Sequence, residues 1–166
     1  ILELIAEYDP AARNWTKLTP MGALPGARHG HAMFYDPLSG RPVLFGGQLS
    51  SSTTNDMWEY DASTNKWMKV YPSGSAPSAR GGHSMVYDPA NARAIFFGGR
   101  ASAFFNDCWA CSPATETWTE LHPKLTAPSA RSYAAMVYDT AGNRVILFGG
   151  VDSNGLYLGD IWELVP

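Results

Sequence analysis

Cysteine is almost absent from this chain of 166 residues, which holds only Cys108 and Cys111. So low a count excludes a disulfide-dense secreted scaffold, without settling the compartment. Charge is sparse too, at 16% of residues, with 12 Lys and Arg against 15 Asp and Glu for a net −3. No basic stripe exists to neutralise phosphates, so nucleic acid is not an expected partner. Apolar runs stop far short of the roughly 18 residues a membrane-spanning helix requires, so no membrane association is expected. The longest, such as Ala94-Ile95-Phe96-Phe97, are strand-sized. A signal-peptide pattern and an initiator Met are missing, and the chain is expected to be a cut from something longer. Nor does any segment carry a 3.6-residue apolar period long enough for a helix. Abundant instead are turn formers, 16 Gly and 12 Pro, and aromatics, with six Trp, eight Tyr and seven Phe. That mixture suits many short strands joined by tight turns.

The chain repeats itself. Gly46-Gly47 follows Val43-Leu44-Phe45, and the pattern returns 52 positions later as Gly98-Gly99 after Ile95-Phe96-Phe97. After 51 more it returns as Gly149-Gly150 after Ile146-Leu147-Phe148. The same offsets relate Pro25, Pro77 and Pro128, then Arg28, Arg80 and Arg131, then Met33, Met85 and Met136. They also relate Tyr35, Tyr87 and Tyr138, with Asp36, Asp88 and Asp139 next in line and Arg41, Arg93 and Arg144 beyond. Asp56-Met57-Trp58, Asp107-Cys108-Trp109 and Asp160-Ile161-Trp162 follow the glycines, and a second tryptophan recurs at Trp15, Trp67 and Trp118. Self-similarity at a fixed period marks a repeat architecture.

Each copy reads as four short strands. Strand a is expected over 31–35, 83–87 and 134–138, and strand b over 42–45, 94–97 and 145–148. Strand c carries the first tryptophan and strand d the second. Turn chemistry separates a from b, as in Asp-Pro-Leu-Ser-Gly from Asp36. A double glycine, then a tyrosine and a tryptophan a few residues apart, at a period near fifty, resembles the kelch repeat. Tyr60 with Trp67 and Tyr8 with Trp15 fit that motif, and the third tyrosine is replaced by Cys111. The resemblance implies an all-β fold of β-propeller blades, each of four antiparallel strands, with strand a innermost at a central channel.

The copies are out of phase with the ends of the chain. Residues 1–20 supply strands c and d of a split blade, 21–72 repeat 1, 73–123 repeat 2, and 124–166 a third repeat lacking strand d. Propellers close with four to eight blades, so three leave two apolar blade faces uncovered. Either the chain belongs to a larger propeller, or two copies associate as a homodimer of three plus three blades. In that dimer residues 1–8 and 160–165 would compete for one strand c position.

Antiparallel strands put the d–a and b–c loops on one face and the a–b and c–d turns on the other. The b–c loops (48–55, 100–106, 151–159) and d–a loops (71–79, 122–130) vary between copies, and variable loops on a rigid scaffold are where binding is expected. Residues present in every copy are expected to serve the blade. By that rule Asp36/Arg41 and their equivalents are turn ion pairs or caps, Asp56, Asp107 and Asp160 bond backbone at the start of strand c, and the three methionines pack. Arg28, Arg80 and Arg131 recur too, yet they enter strand a from the variable face, where planar forks of donors would suit a carboxylate. Some kelch adaptor domains use such arginines to hold acidic peptides. Together with Gln48 and Arg100 after the glycine pairs, and Phe104, Phe105 and Tyr157 in the b–c loops, they form the expected ligand-binding set.

His29 and His31 project to one side of an extended strand, but two imidazoles make a weak metal site without a third ligand, and no metal or other cofactor is expected. Cys108 and Cys111 resemble a Cys-x-x-Cys motif, yet on a strand they point to opposite faces about 10 Å apart and read as buried, inert thiols. The expected function is a non-catalytic scaffold for a protein, peptide or acidic small ligand. The alternatives are an enzyme of the galactose-oxidase-like or another carbohydrate-modifying kind, and a fragment of a larger multidomain kelch protein with no activity alone.

Overall fold

The computed structural model describes residues 5–122 and 126–164. The outer parts of the expected strand c segments, residues 1–4 and 165, and the middle of the second d–a loop, 123–125, lie outside the described residues. Among the described residues every regular element is a β-strand. A two-stranded hairpin, β1 (Ile5–Asp9) with β2 (Asn14–Leu18), comes first. The first four-stranded sheet orders β3 (Ala32–Asp36), β4 (Arg41–Gln48), β5 (Thr53–Asp61) and β6 (Lys66–Val70). The second runs β7 (Ser84–Asp88), β8 (Arg93–Phe97), β9 (Cys108–Ser112), β10 (Thr117–Leu121). A three-stranded sheet of β11 (Ala135–Asp139), β12 (Arg144–Phe148) and β13 (Ile161–Leu164) ends the chain. All pairings within these sheets are antiparallel meanders, so each sheet is a blade with strands a to d in chain order. The inner strands β3, β7 and β11 lie side by side, as strand a does around a propeller axis.

Strand b differs most from expectation. In the first blade it continues through the glycines to Gln48, and β5 starts early at Thr53, with a register irregularity between Phe45 and Gly47. What was expected as a loop over 48–55 is therefore half strand, with a short turn over 49–52 closed by the Leu49 amide on the Ser52 carbonyl at 2.7 Å. The glycine pair adopts left-handed φ of 62° and 107°, and a Cβ on Gly46 would lie 3.0 Å from the Arg80 carbonyl of the next blade. Only glycine permits that approach.

The core lies between blades. Phe34, Val43, Phe45 and Met57 of the first pack on Met85, Phe96, Trp109 and Trp118 of the second. Ile95, Phe97 and Cys108 of the second pack on Val145 and Leu147 of the third. Phe45 meets Trp118 at 4.9 Å and Phe96 at 5.5 Å between ring centroids. Burying each such ring stabilises the stack by about 1.5–3 kcal/mol. Cys108 and Cys111 are buried members of these clusters and are not disulfide-bonded, and burial pushes both thiols up to about 12.

The a–b turns are built on their aspartates. Asp36 is buried and accepts the amides of Leu38 and Ser39 at 3.0 Å each, and Asp88 and Asp139 do the same for their own turns. Arg93 and Arg144 pair with those aspartates as expected. Arg41 does not: it reaches across to Glu59 at 3.3 Å and Asp61 at 3.2 Å on β5, because the first repeat offers two carboxylates there.

Candidate binding site

The d–a and b–c loops meet on one face, and the recurring arginines lie just beneath it. Each guanidinium bonds a carbonyl two residues back, the carbonyl of the first glycine in its blade's glycine pair and an aspartate at the start of strand c. In the second blade Arg80 donates from Nε to the Ser78 carbonyl at 3.0 Å and from Nη1 to the Gly98 carbonyl at 3.2 Å, and both terminal nitrogens clasp the carboxylate of Asp107. Arg28 clasps Asp56 at 2.5 and 3.0 Å, and Arg131 clasps Asp160 at 2.6 and 2.8 Å. The indole N–H of the strand c tryptophan two residues on completes each carboxylate, at 2.7, 2.8 and 2.5 Å for Trp58, Trp109 and Trp162. The arginine and tryptophan donors hold the Asp56 and Asp160 carboxyls below the usual carboxylate range, against the opposing effect of burial.

Two expectations are thereby corrected. The aspartates at the start of strand c hold a guanidinium and an indole from the same blade, where backbone bonding was expected. The arginine side chains, only 4%, 2% and 1% exposed, spend both terminal nitrogens on an aspartate of their own blade and so present no free fork to a ligand. The loop and strand c enter the blade on the same rim, which the linear spacing of 27–29 residues hides.

Phe105 is half-buried, and its ring centroid lies 3.7 Å from the Arg80 guanidinium carbon, covering one face of that cation. Gln48 is half-buried and exchanges backbone hydrogen bonds with His29. Arg100 is exposed and makes no ion pair among the described residues. Phe104 and Tyr133 flank it, with ring centroids 5.9 and 5.8 Å from its guanidinium carbon. Tyr157 stands 87% exposed beside exposed Leu156 in the third b–c loop.

Tyr133 was missed by the sequence reading. It fills the slot of Gly30 and Gly82, and it keeps their left-handed backbone at φ 58°. The other non-glycine residues with positive φ (Arg13, Asn65, Ala92, Glu116 and Asn143) sit in a–b or c–d turns, so Tyr133 stands apart on the loop face. Backbone bonds link the three slots around the axis, from the Gly82 amide to the Gly30 carbonyl at 2.7 Å and from the Tyr133 amide to the Gly82 carbonyl at 2.6 Å. The phenol ring reaches back over both glycines: a Cβ at Gly82 would meet it at 3.1 Å and one at Gly30 would meet its hydroxyl at 3.6 Å. The signal was available, since Gly, Gly and Tyr in one repeat slot break the register at a position demanding φ > 0.

Below this rim His83 is buried between Phe45 and Phe96, and neither ring nitrogen has a hydrogen-bond partner. Burial, aided by the charge of Arg80, lowers its pKa to about 3. His29 and His31 are exposed, and among the described residues no three potential metal ligands cluster.

Among the described residues thirteen strands in blade-like meanders, with inner strands side by side and a loop face above, define a protein of the β-propeller class. The family described as the KLHDC2/KLHL20/DRC7 Kelch-repeats domain matches residues 2–166, and the chain belongs to the kelch-repeat family. Among its relatives, Kelch domain-containing protein 3 from Bos taurus is 27% identical over 173 residues, covering 96% of this chain and 44% of that protein. The Homo sapiens protein of that name matches to the same extent. Dynein regulatory complex subunit 7 from Chlamydomonas reinhardtii is 34% identical over 112 residues, 65% of this chain and 10% of that protein. The chain thus spans less than half the length of these relatives. Their kelch domains make this a fold of the protein-interaction scaffold kind.

Proposed function

We propose that the chain is a non-catalytic binding module that takes a carboxylate-bearing segment of a protein or peptide on its loop face, at the inner mouth. The observation that carries this is Arg100: an exposed guanidinium without a carboxylate partner among the described residues, standing between the rings of Phe104 and Tyr133. Two aromatic rings lie beside the exposed guanidinium, and Arg offers a carboxylate two parallel charge-assisted donors. Tyr133 holds a backbone conformation that costs of order 1–3 kcal/mol, a strain of the kind that accompanies ligand sites. Gln48 supplies an amide on the same face, and Leu156 and Tyr157 add an apolar surface on the neighbouring loop that suits a protein partner better than a small polar solute. The strongly perturbed base, His83, is sealed between two phenylalanines and is not placed to serve as a proton acceptor for a substrate.

Fluorescence anisotropy with a library of acidic peptides, each matched to its Asn/Gln counterpart, tests this. Acidic members are expected to bind more tightly, with Arg100→Ala removing the preference and weakening binding by about tenfold or more. Tyr133→Gly is expected to weaken binding while leaving the fold at least as stable. Equal binding of acidic and amide peptides, or an Arg100→Ala variant that binds unchanged, would sink the proposal.

A further inference from the structure

Independently of what the loop face binds, the tip of the third b–c loop breaks the repeat. Gly99 stands eight positions before Asp107, but Gly150 stands ten before Asp160, so the third loop is longer by two residues. The added length forms a tight turn. The Asp152 amide donates to the Leu156 carbonyl at 3.1 Å, and the Asp152 carboxylate accepts the amides of Asn154 at 2.8 Å and Leu156 at 2.9 Å. Ser153, Asn154 and Gly155 project from that turn and are exposed. Gly155 holds a left-handed φ of 78°, and nothing lies within 4 Å of the place its Cβ would take.

The chain has seven asparagines, and only Asn154 precedes a glycine. Asn55 and Asn91 are held by their side-chain amides, on the Pro77 carbonyl at 3.3 Å and the Asp88 carboxylate at 2.8 Å. Asn65 bonds both Thr19 and Tyr60, and Asn143 accepts the Tyr138 hydroxyl. Asn14 and Asn106 precede Trp15 and Asp107, whose side chains crowd the next backbone nitrogen. The Asn154 carboxamide has only a 3.5 Å contact to the Asp152 carboxylate, at the limit of a hydrogen bond. Here a loosely held side-chain carbonyl and an unshielded backbone nitrogen are neighbours in one chain, which makes their reaction intramolecular.

We infer that the Asn154–Gly155 turn is a site of spontaneous covalent modification, at which the Asn154 carboxamide becomes a carboxylate on the loop face. The Gly155 nitrogen gives up its proton and bonds the Asn154 side-chain carbonyl carbon. The bond from that carbon to the carboxamide nitrogen breaks, and the nitrogen leaves with a proton as ammonia. Water then opens the cyclic imide at either carbonyl, giving aspartate or isoaspartate. Nothing is oxidised or reduced, and water is the only co-reactant. The Gly155 amide must first leave the Asp152 carbonyl, its partner at 3.1 Å, and a single bond in an exposed turn opens readily. The isoaspartate product lengthens the main chain between Asp152 and Leu156 by one atom, so the bonds between those residues no longer close the same turn. The exposed Leu156 and Tyr157 follow directly after it and shift with it.

Peptide mapping by mass spectrometry on the whole chain, kept folded in warm, mildly alkaline buffer, tests this. The Asn154 peptide is expected to gain the mass of an acid in place of an amide, as two chromatographically distinct products. It is expected to lead every other asparagine by about tenfold or more. A parallel sample in guanidinium chloride measures the chain without its turn, and folded Asn154 is expected to convert within about tenfold of that rate. If Asn154 stays an amide in the folded chain while the unfolded chain converts, the Gly155 bond locks the nitrogen and the inference fails. It fails as well if neither sample converts, or if another asparagine keeps pace. Ion exchange supplies a second readout. The aged chain is expected to shed a more acidic species that Asn154→Gln abolishes, because the longer side chain closes a ring less readily. Persistence of that species in the variant would place the new charge elsewhere and overturn the assignment.

Discussion

Replacing Asp107 by Ala isolates the clasp that recurs in every complete blade. Arg80 is 1% exposed, and its only ionic partner among the described residues is Asp107. The variant keeps three neutral acceptors for the guanidinium, the carbonyls of Ser78 and Gly98 and the Ser78 hydroxyl at 2.8 Å, but removes the countercharge. Stranding a buried charge in this way costs about 3–5 kcal/mol. The Trp109 indole loses its acceptor as well, which adds about 1–3 kcal/mol. The Phe105 face at 3.7 Å attracts the cation in both proteins and does not alter the difference. The net expectation is a loss of about 4–8 kcal/mol, a large share of the ~5–15 kcal/mol that holds an ordinary domain. Urea denaturation followed by tryptophan fluorescence measures it, with the midpoint falling and the slope unchanged. Thermal melting is expected to drop by roughly 8–32 °C. The double variant Arg80→Leu/Asp107→Leu should recover much of the loss, because a buried ion pair replaced by apolar groups leaves nothing uncompensated. A loss below about 1 kcal/mol for Asp107→Ala, or a double variant less stable than the single, would refute the reasoning.

Two further outcomes follow from the same interfaces. His83 has a pKa of about 3 in the folded chain against 6.5 when unfolded, so the unfolded chain binds the extra proton. Its contribution is complete above pH 6.5 and is lost as pH falls toward 3, at about 1.4 kcal/mol per pH unit, and His83→Leu should flatten stability over that window in urea melts at stepped pH. The lowered carboxyls of Asp56 and Asp160 act only below about pH 4, so a curve that His83→Leu leaves unchanged between pH 6.5 and 4 contradicts the assignment. Cys108 and Cys111 should resist a thiol reagent in the native protein and both react after denaturation; rapid native labelling of either would show that the blades do not seal them.

The repeat made much of this legible in advance. Strand type, strand order and the loop face follow from the spacing of the double glycines, the aspartate turns and the tryptophans, because alternation and turn chemistry are local. The reading of Cys108 and Cys111 as packing residues came the same way. Recurrence alone could not say which recurring groups bond one another. Arg80 and Asp107 both repeat faithfully, yet their pairing depends on two loops meeting on one rim, and that is a matter of sheet geometry. Arg41 shows the converse: its turn partner Asp36 was adjacent in sequence, but Glu59 and Asp61 are nearer in the folded blade.

The sequence by itself determined the blade, since a pattern of two-residue alternation and fixed turn residues admits one four-stranded meander and its repetition. Only the tertiary structure decided what the loop face holds. It took Arg28, Arg80 and Arg131 into the framework, because buried guanidinium groups must find their acceptors. It left Arg100 exposed between Phe104 and Tyr133, because that position follows the glycines onto the rim, where no carboxylate of the described chain reaches it.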